Sequence, residues 1–398
     1  MSNFKFNSSP AAMTQPLVNP SRKGEDILCA LSLFSGAGGM DLGISQAGFN
    51  VVACIEKDPY CCETLRAARI NPQHRPRIIE DDIRNIDPAE LMGELDMKSG
   101  ELDLLYGGSP CQSFSQIGKR KCLDDERGML LFEIIRFAEI FRPKAILIEQ
   151  VKGILNAPDR MGKVGGVFEL LLESLESLDY FSKWKVMMAA DYGVPQLRER
   201  VFIVSTLKTD LFEFPQPTHC SGQQALPLFP LLPYKTVGEA IEGLGKPQLK
   251  SETQLDNSHV DVTPDGDRRR IQGVPEGSCL AKELHLPPEQ RGKLGKKDTT
   301  KFRRLSRIEP SLTLRCGEIF FHPTEDRYLT PREYLRIHGY PDEYLLKGPI
   351  RSRSGRVRDL DQHRQVANSV PPPIAKILAS SIQRSLTCRK SLKSLVIQ

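Results

Sequence analysis

The chain has 398 residues, 39% hydrophobic and 26% charged, and a formal charge of +5. This is the composition of an ordinary globular protein of two or three domains, with ample core, and no apolar run approaches membrane-spanning length. So mild an excess of cations permits an anionic partner without demanding one, and their placement matters more than their sum.

Residues 1–24 are polar, with Pro, Ser and Asn, and lack the apolar core of a signal peptide, so a disordered tail and a cytoplasmic protein are expected. Ile27 to Phe34 reads as a strand. LFSGAGGMD (33–41) then breaks into glycine before a short helical pattern ending at Gly48, the strand–glycine loop–helix opening of a nucleotide-type α/β unit. Val51 to Ile55 is a second apolar run, closed by Glu56. Ile78-Ile79 is a weak third, followed by Glu80, Asp81 and Asp82. Leu104 to Tyr106 is the fourth and leads to Cys111. Leu130, Ile134, Phe137, Ala138 and Phe141 have helical spacing, stopped by Pro143. Ala145 to Ile148 is a fifth strand ending in Glu149, a helical stretch covers Phe168 to Leu178, and strands follow at Phe181 to Ala190 and Val201 to Val204, the last preceded by QLRER (196–200).

Short apolar runs alternating with helical patterns predict an α/β fold, a Rossmann-like and mostly parallel sheet with helices on both faces. Gly36, Glu56, Asp82, Cys111 and Glu149 follow five successive strands. Open α/β sheets bind ligands beyond the carboxyl ends of their strands, so these five endings are expected to converge on one crevice.

After about Leu207 the texture changes. Residues 213–233 are proline-rich, and LPLFPLLP (226–233) suits a packed connector. Residues 291–307 (RGKLGKKDTTKFRRLSR) hold eight Lys or Arg and one Asp, and residues 351–364 add five arginines. Such a run is either a solvated face or a set of phosphate contacts with some base-edge reading, and the interleaved Phe302 suits the second. The ten cysteines form no CxxC pair, and His219-Cys220 has no companion at zinc spacing; free thiols and no metal are expected.

Three constellations carry chemistry. In Gly36-x-Gly38-Gly39 the dinucleotide fingerprint is incomplete, because Asp41 stands where a third small residue belongs; this favours a nucleoside ligand without a pyrophosphate. Glu56, twenty residues after Gly36, lies where an acid binds ribose hydroxyls, and Asp82 could accept from an adenine amino group. A ligand with ribose and adenine but no phosphate is S-adenosylmethionine; the alternative is that these are ordinary surface acids. In DLLYGGSPCQSFS (103–115), Gly107 and Gly108 release the chain from the strand and Pro110 restricts it, which holds the Cys111 thiol in a defined place. Cys111 is then a nucleophile or a buried structural cysteine beside a turn. With Glu149 it makes a third constellation. A thiolate can add to carbon 6 of a pyrimidine if ring nitrogen 3 is protonated, and a carboxyl kept neutral by burial could supply that proton.

In order along the chain, FSGAGGMDLG (34–43), Glu56, Asp82-Ile83, GGSPCQSFS (107–115), Glu149, QLRER (196–200), RYLTPREYLRIHGYP (327–341) and QVANSVPPP (365–373) resemble the DNA cytosine-5 methyltransferases of bacterial restriction–modification type. The resemblance spans nearly all of the ordered chain. It implies Cys111 as nucleophile and Glu149 as the acid at ring nitrogen 3, with Arg198 and Arg200 in the catalytic group and Arg200 reaching the extruded cytosine or its phosphate. It implies cofactor contacts from Phe34, Gly36, Ala37, Gly38, Gly39, Glu56, Asp82, Ile83, Gly108, Pro110, Leu130, Asn368, Ser369 and Val370. It implies DNA contacts from Gln112, Ser113, Ser115, Arg120, Gln196, Arg303, Arg304 and Thr313, and double-stranded DNA as the partner of a monomer, with a cognate restriction endonuclease acting on the same site. Gln196, Arg198 and Arg200 alternate, so all three side chains are expected on one side of a strand.

The family usually has Asn after the catalytic Glu, and this chain has Gln150. An adapted contact to the Cys111 loop is expected, with Gln150→Asn leaving methyl transfer largely intact. Ser113 to Arg127 is expected to be a mobile loop closing on DNA from which the target base is rotated out. The expected layout is a catalytic and cofactor domain at 25–208, a target-recognition domain at 209–345, its specificity mainly between Leu280 and Arg315, and a C-terminal segment at 346–398 returning to the first domain. Three other readings stand beside this one: an RNA cytosine methyltransferase with the same chemistry, a DNA-binding protein on a degenerate catalytic fold, and a nicotinamide oxidoreductase.

Overall fold

A computed structural model describes residues 27–71, 74–110, 130–209, 211–222, 231–249, 258–282, 287, 302–351 and 360–396. Its centre is a seven-stranded sheet. The strands are β1 (Leu28–Leu33), β2 (Phe49–Glu56), β3 (Arg77–Glu80), β4 (Leu104–Gly107), β5 (Ala145–Gln150), β6 (Tyr180–Met188) and, after the two-residue β7 (Gln196–Leu197), β8 (Glu199–Leu207). Their order is β3-β2-β1-β4-β5-β8-β6. β1 to β5 pair in parallel, and β8 lies antiparallel to both β5 and β6. Within this sheet β8 thus runs against all the others.

The central strands are buried on both faces, and alternation decides which layer each side chain enters. In β5, Ala145 and Leu147 join one apolar layer while Ile146 and Ile148 join the other. Helices α1 (Gly39–Gln46) and α2 (Pro59–Ala67) cover the first face. α3 (Pro88–Glu94), α4 (Glu133–Phe141) and α5 (Gly166–Ser177) cover the second. In α4 the buried set is Ile134, Phe137, Ala138 and Phe141, and the helix ends at Arg142 (φ 46°) before Pro143.

The layer over α1 continues into Val237, Ile271, Leu305, Phe320 and Tyr334. Three short helices belong to that half: α6 (Val237–Ile241), α7 (Asp265–Ile271) and α8 (Pro331–Ile337). RYLTPRE is a helix-start device. Thr330 and Glu333 form a capping box with Pro331 in the first turn, and Arg327 forks onto both oxygens of Glu333. The chain then returns through α9 (Gln362–Asn368) and the 25-residue α10 (Pro372–Val396). α10 lies on α1 so closely that a Cβ at Gly43 would come within 2.3 Å of Pro372 O.

Candidate active site

The parallel strands put Gly36, Glu56, Asp82, Gly108 and Glu149 at one edge of the sheet. Leu33 registers with both Ile55 and Gly107, and Gly107 with Ile148, so the residues just beyond them lie side by side. Because β8 runs the other way, its first residues arrive at the same edge. Arg200, two places before the Phe202 that faces Glu149, sets its Nε 3.0 Å from Glu149 Oε1. Both side chains are largely buried.

Gly108 explains how the fourth and fifth strand endings meet. A Cβ there would stand 2.9 Å from Glu149 Oε2, so any larger residue would push the carboxyl from its place against this backbone. Gln150, wholly buried, donates from Nε2 to Ser109 O (3.1 Å) and Ser109 Oγ (2.7 Å). The strand with the acid therefore holds the chain on both sides of Gly108, up to Pro110. Cys111, Gln112, Ser113, Ser115 and Arg120, with the whole Ser113 to Arg127 stretch, lie outside the described residues. So do residues 1–24, most of the 291–307 run and residues 352–359.

The glycine loop is built from left-handed backbone: Phe34 (φ 56°), Gly36 (φ 56°) and Gly38 (φ 74°). A phenylalanine in that region is strained, and such strain gathers where a loop must face a ligand. Gly38 and Gly39 are packed tight: a Cβ would meet Tyr344 Oη at 2.5 Å in the first and Val370 O at 2.2 Å in the second. Gly36 is different, since a Cβ there would meet nothing within 4 Å and the loop faces open space. Glu56 anchors it. Its Oε2 accepts from Gly36 N (2.7 Å) and its Oε1 from Lys57 N (2.9 Å) and Asp58 N (2.8 Å). Burial pushes the Glu56 carboxyl up, against the lowering effect of these donors. Asp82 caps the turn at Ile83–Asn85 and pairs with Arg84 and Lys57. The hydrogen bond from Arg84 is the main cause holding Asp82 down at about 2. Ile83 and Leu130 are buried beside this edge, in the second apolar layer. An open left-handed loop, with acids at the next two strand ends, fits a ribose- and adenine-bearing cofactor. Among the described residues no group of three His, Cys, Asp or Glu could hold a metal.

Several expected roles change. Gln196 is fully buried: its Oε1 accepts from Leu314 N and its Nε2 donates to His338 Nδ1 (2.9 Å). It is an interior crosslink and cannot reach DNA. Arg198, only 3% exposed, donates to Ala367 O and Ser369 O, each at 3.0 Å. It holds the Asn368-Ser369-Val370 segment against the sheet and is a positioning residue. The strand breaks between β7 and β8, and of the three alternating residues Arg200 alone enters the crevice. Arg304, expected on DNA, is caged instead by the carbonyls of Val274, His322, Glu325 and Ile271 and by Asp326. Thr313 donates its hydroxyl to Leu197 O (2.8 Å). Asn368 Oδ1 accepts from the Cys316 thiol. Arg303 lines a cavity with Leu197, and its side chain makes no hydrogen bond or ion pair among the described residues.

Two features had no assignment from sequence. His338 is fully buried with Nε2 donating to Ser369 O (2.9 Å); with Gln196 Nε2 on its other nitrogen, only the neutral Nε2–H form satisfies both. Burial, aided by Arg198, holds this imidazole well below its ordinary value. Asp41, at the odd position of the glycine motif, is also fully buried. Its Oδ1 accepts from Tyr106 Oη (2.9 Å) and Cys54 Sγ (3.3 Å), and desolvation pushes its carboxyl up. Its place in a motif was the one available signal.

Comparison with known proteins shows the family and the fold. Residues 28–384 match the model of the family described as C-5 cytosine-specific DNA methylase. The chain is 35% identical over 394 residues to the Type II methyltransferase M.PspPI of Psychrobacter sp., covering 96% of this chain and 83% of that one. It is 33% identical over 374 residues to the Type II methyltransferase M.Eco47II of Escherichia coli, covering 90% and 79%. Among solved structures, a mutant of the DNMT2 of Spodoptera frugiperda shares the fold with a TM-score of 0.56 at 16% identity, over 89% of this chain and 99% of that chain. The chain belongs to the C-5 cytosine-specific DNA methylase family, as a DNA cytosine-5 methyltransferase of the bacterial restriction–modification type.

Proposed function

We propose that the enzyme transfers a methyl group to carbon 5 of one cytosine within a specific duplex word, through a flipped base and a covalent bond to Cys111. The observation that carries this is the meeting of Glu149 with Arg200 and with Gly108, which stands three residues along the chain from Cys111. In this reading the Cys111 sulfur adds to carbon 6 while Glu149 gives a proton to ring nitrogen 3, so that no negative charge is left on the ring. Arg200 places a guanidinium beside the base, where it holds the ring and its phosphate in register with the carboxyl. S-adenosylmethionine, the cofactor this family implies, supplies the methyl group when bound. Phe34, Ala37 and the glycine loop, Glu56 and Asp82 would hold it, with Ile83, Pro110, Leu130 and the 368–370 segment closing its sides. Loss of the carbon-5 proton to a base then lets the carbon–sulfur bond break and returns the thiol.

Carbons 5 and 6 lie inside the duplex stack, so the cytosine must be extruded, at about a few kcal/mol. A catalytic part at 25–208, a target-recognition part at 209–345 and a returning segment at 346–398 would close on DNA as a monomer. The modification would protect DNA against a cognate endonuclease cutting the same word. Methylation of plasmid DNA by the purified protein, followed by sequencing for 5-methylcytosine, tests the reading: modification confined to one word is expected, and unmodified DNA contradicts it.

A further inference from the structure

The two neighbouring arginines of the recognition half have opposite fates, and this points to what one of them does. Arg304 is locked inside by backbone carbonyls and Asp326. Arg307 pairs with Glu276. Arg303 instead lines a cavity of about 280 Å³ whose apolar wall is Leu197, Leu305 and Leu312 and whose polar groups include Ser306 and Glu309. Among the described residues neither the Arg303 nor the Glu309 side chain has a hydrogen bond or ion pair, to each other or to anything else.

A cation and an anion both left unpaired in one cavity make a poor phosphate site, since the carboxylate repels what the guanidinium attracts. They are complementary to a surface that offers acceptors and a donor together. In the major groove a G·C pair does so: guanine presents O6 and N7 to a forked arginine, and the cytosine N4 amine donates to a carboxylate. The cavity is also in the right place. Leu197, in its wall, is three residues before the Arg200 that meets Glu149, at most about 10 Å along a chain that breaks at Arg198. Three base-pair steps span about the same length. Leu312 pairs with Leu197 as a two-residue strand, and Thr313 donates to Leu197 O, so the cavity wall is tied to the strand that leads into the active site.

We propose that Arg303 and Glu309 read one G·C pair of the target word, within about three steps of the methylated cytosine. This rests on the DNA cytosine methyltransferase reading above and adds the residues that set its specificity.

The test is a duplex library randomised around a fixed cytosine, methylated by wild type, Arg303→Ala, Arg303→Lys and Glu309→Gln, and sequenced for 5-methylcytosine. Wild type is expected to demand G·C at one position near the target. Arg303→Ala is expected to lower that preference about tenfold to a hundredfold at that position and no other. Arg303→Lys keeps the charge without the fork and should relax it similarly. Glu309→Gln, at an exposed site, should relax the same position and guards against an Arg303 variant that fails to fold. An unchanged word in the variants, or a loss spread evenly over all words, overturns the proposal while the function stands. A wild type that methylates no duplex overturns the function itself and this proposal with it.

Discussion

Arg200 Nε lies 3.0 Å from Glu149 Oε1, in a pair almost closed to solvent. Removing the guanidinium leaves a buried carboxyl without its partner and, in the proposed function, takes away the cation beside the base. Arg200→Ala is therefore expected to lower kcat about a hundredfold or more, with cofactor affinity little changed. Single-turnover methyl transfer and calorimetric cofactor binding, measured on the same variant, check both halves.

Arg198 should behave differently, although it stands only two places away. Its donors reach Ala367 O and Ser369 O, so Arg198→Ala frees the segment proposed to close the cofactor site. The expected result is cofactor affinity weakened about tenfold or more and a lower melting temperature. With cofactor saturating, the transfer rate should fall far less than in Arg200→Ala.

Gln150→Asn looked harmless from sequence, and the geometry revises that expectation. The amide nitrogen is 2.7 Å from Ser109 Oγ, and one methylene fewer withdraws it by about 1.5 Å. The expected result is a transfer rate reduced about tenfold with cofactor affinity intact, since the Ser109–Pro110 backbone loses its tether. Rapid-quench assays check this.

Two groups give the same sign of pH dependence in different pH windows, both losing stability as pH falls. Asp82 is held at about 2 in the folded chain against an ordinary 3.8. Its contribution to stability is present above pH 4 and is lost as pH falls through about 2, so wild type and Asp82→Asn should converge in strong acid. His338 stays neutral when folded, while the unfolded chain takes a proton near pH 6.5. Stability should therefore fall between pH 7 and pH 5, and His338→Gln should flatten part of that fall. Urea denaturation across pH checks each sign.

The five strand endings were legible because an apolar run and the residue that closes it are local properties. The sheet carries Gly36, Glu56, Asp82 and Glu149 to one edge, as expected, with Gly108 beside them, while Cys111, the fifth expected ending, lies outside the described residues. The fates of Gln196, Arg198 and Arg304 were not legible. Their partners lie far along the chain: His338 and Ser369 for the first two, and carbonyls up to 33 residues away for Arg304. Alternation in QLRER gave the side of the strand, and only packing decided that this side was interior for two residues and crevice for the third. His338 was overlooked for the same reason, since a histidine in a motif carries no mark of burial.

The proposed chemistry turns on the Cys111 sulfur bonding to carbon 6 of the target base. Duplex DNA carrying 5-fluorocytosine in the recognised word, incubated with enzyme and S-adenosylmethionine, tests that bond, because fluorine cannot be removed as a proton can. The expected product is a complex that survives denaturing electrophoresis and maps by mass spectrometry to Cys111, absent in Cys111→Ser. An enzyme that methylates ordinary DNA yet yields no adduct at Cys111 would contradict the covalent route.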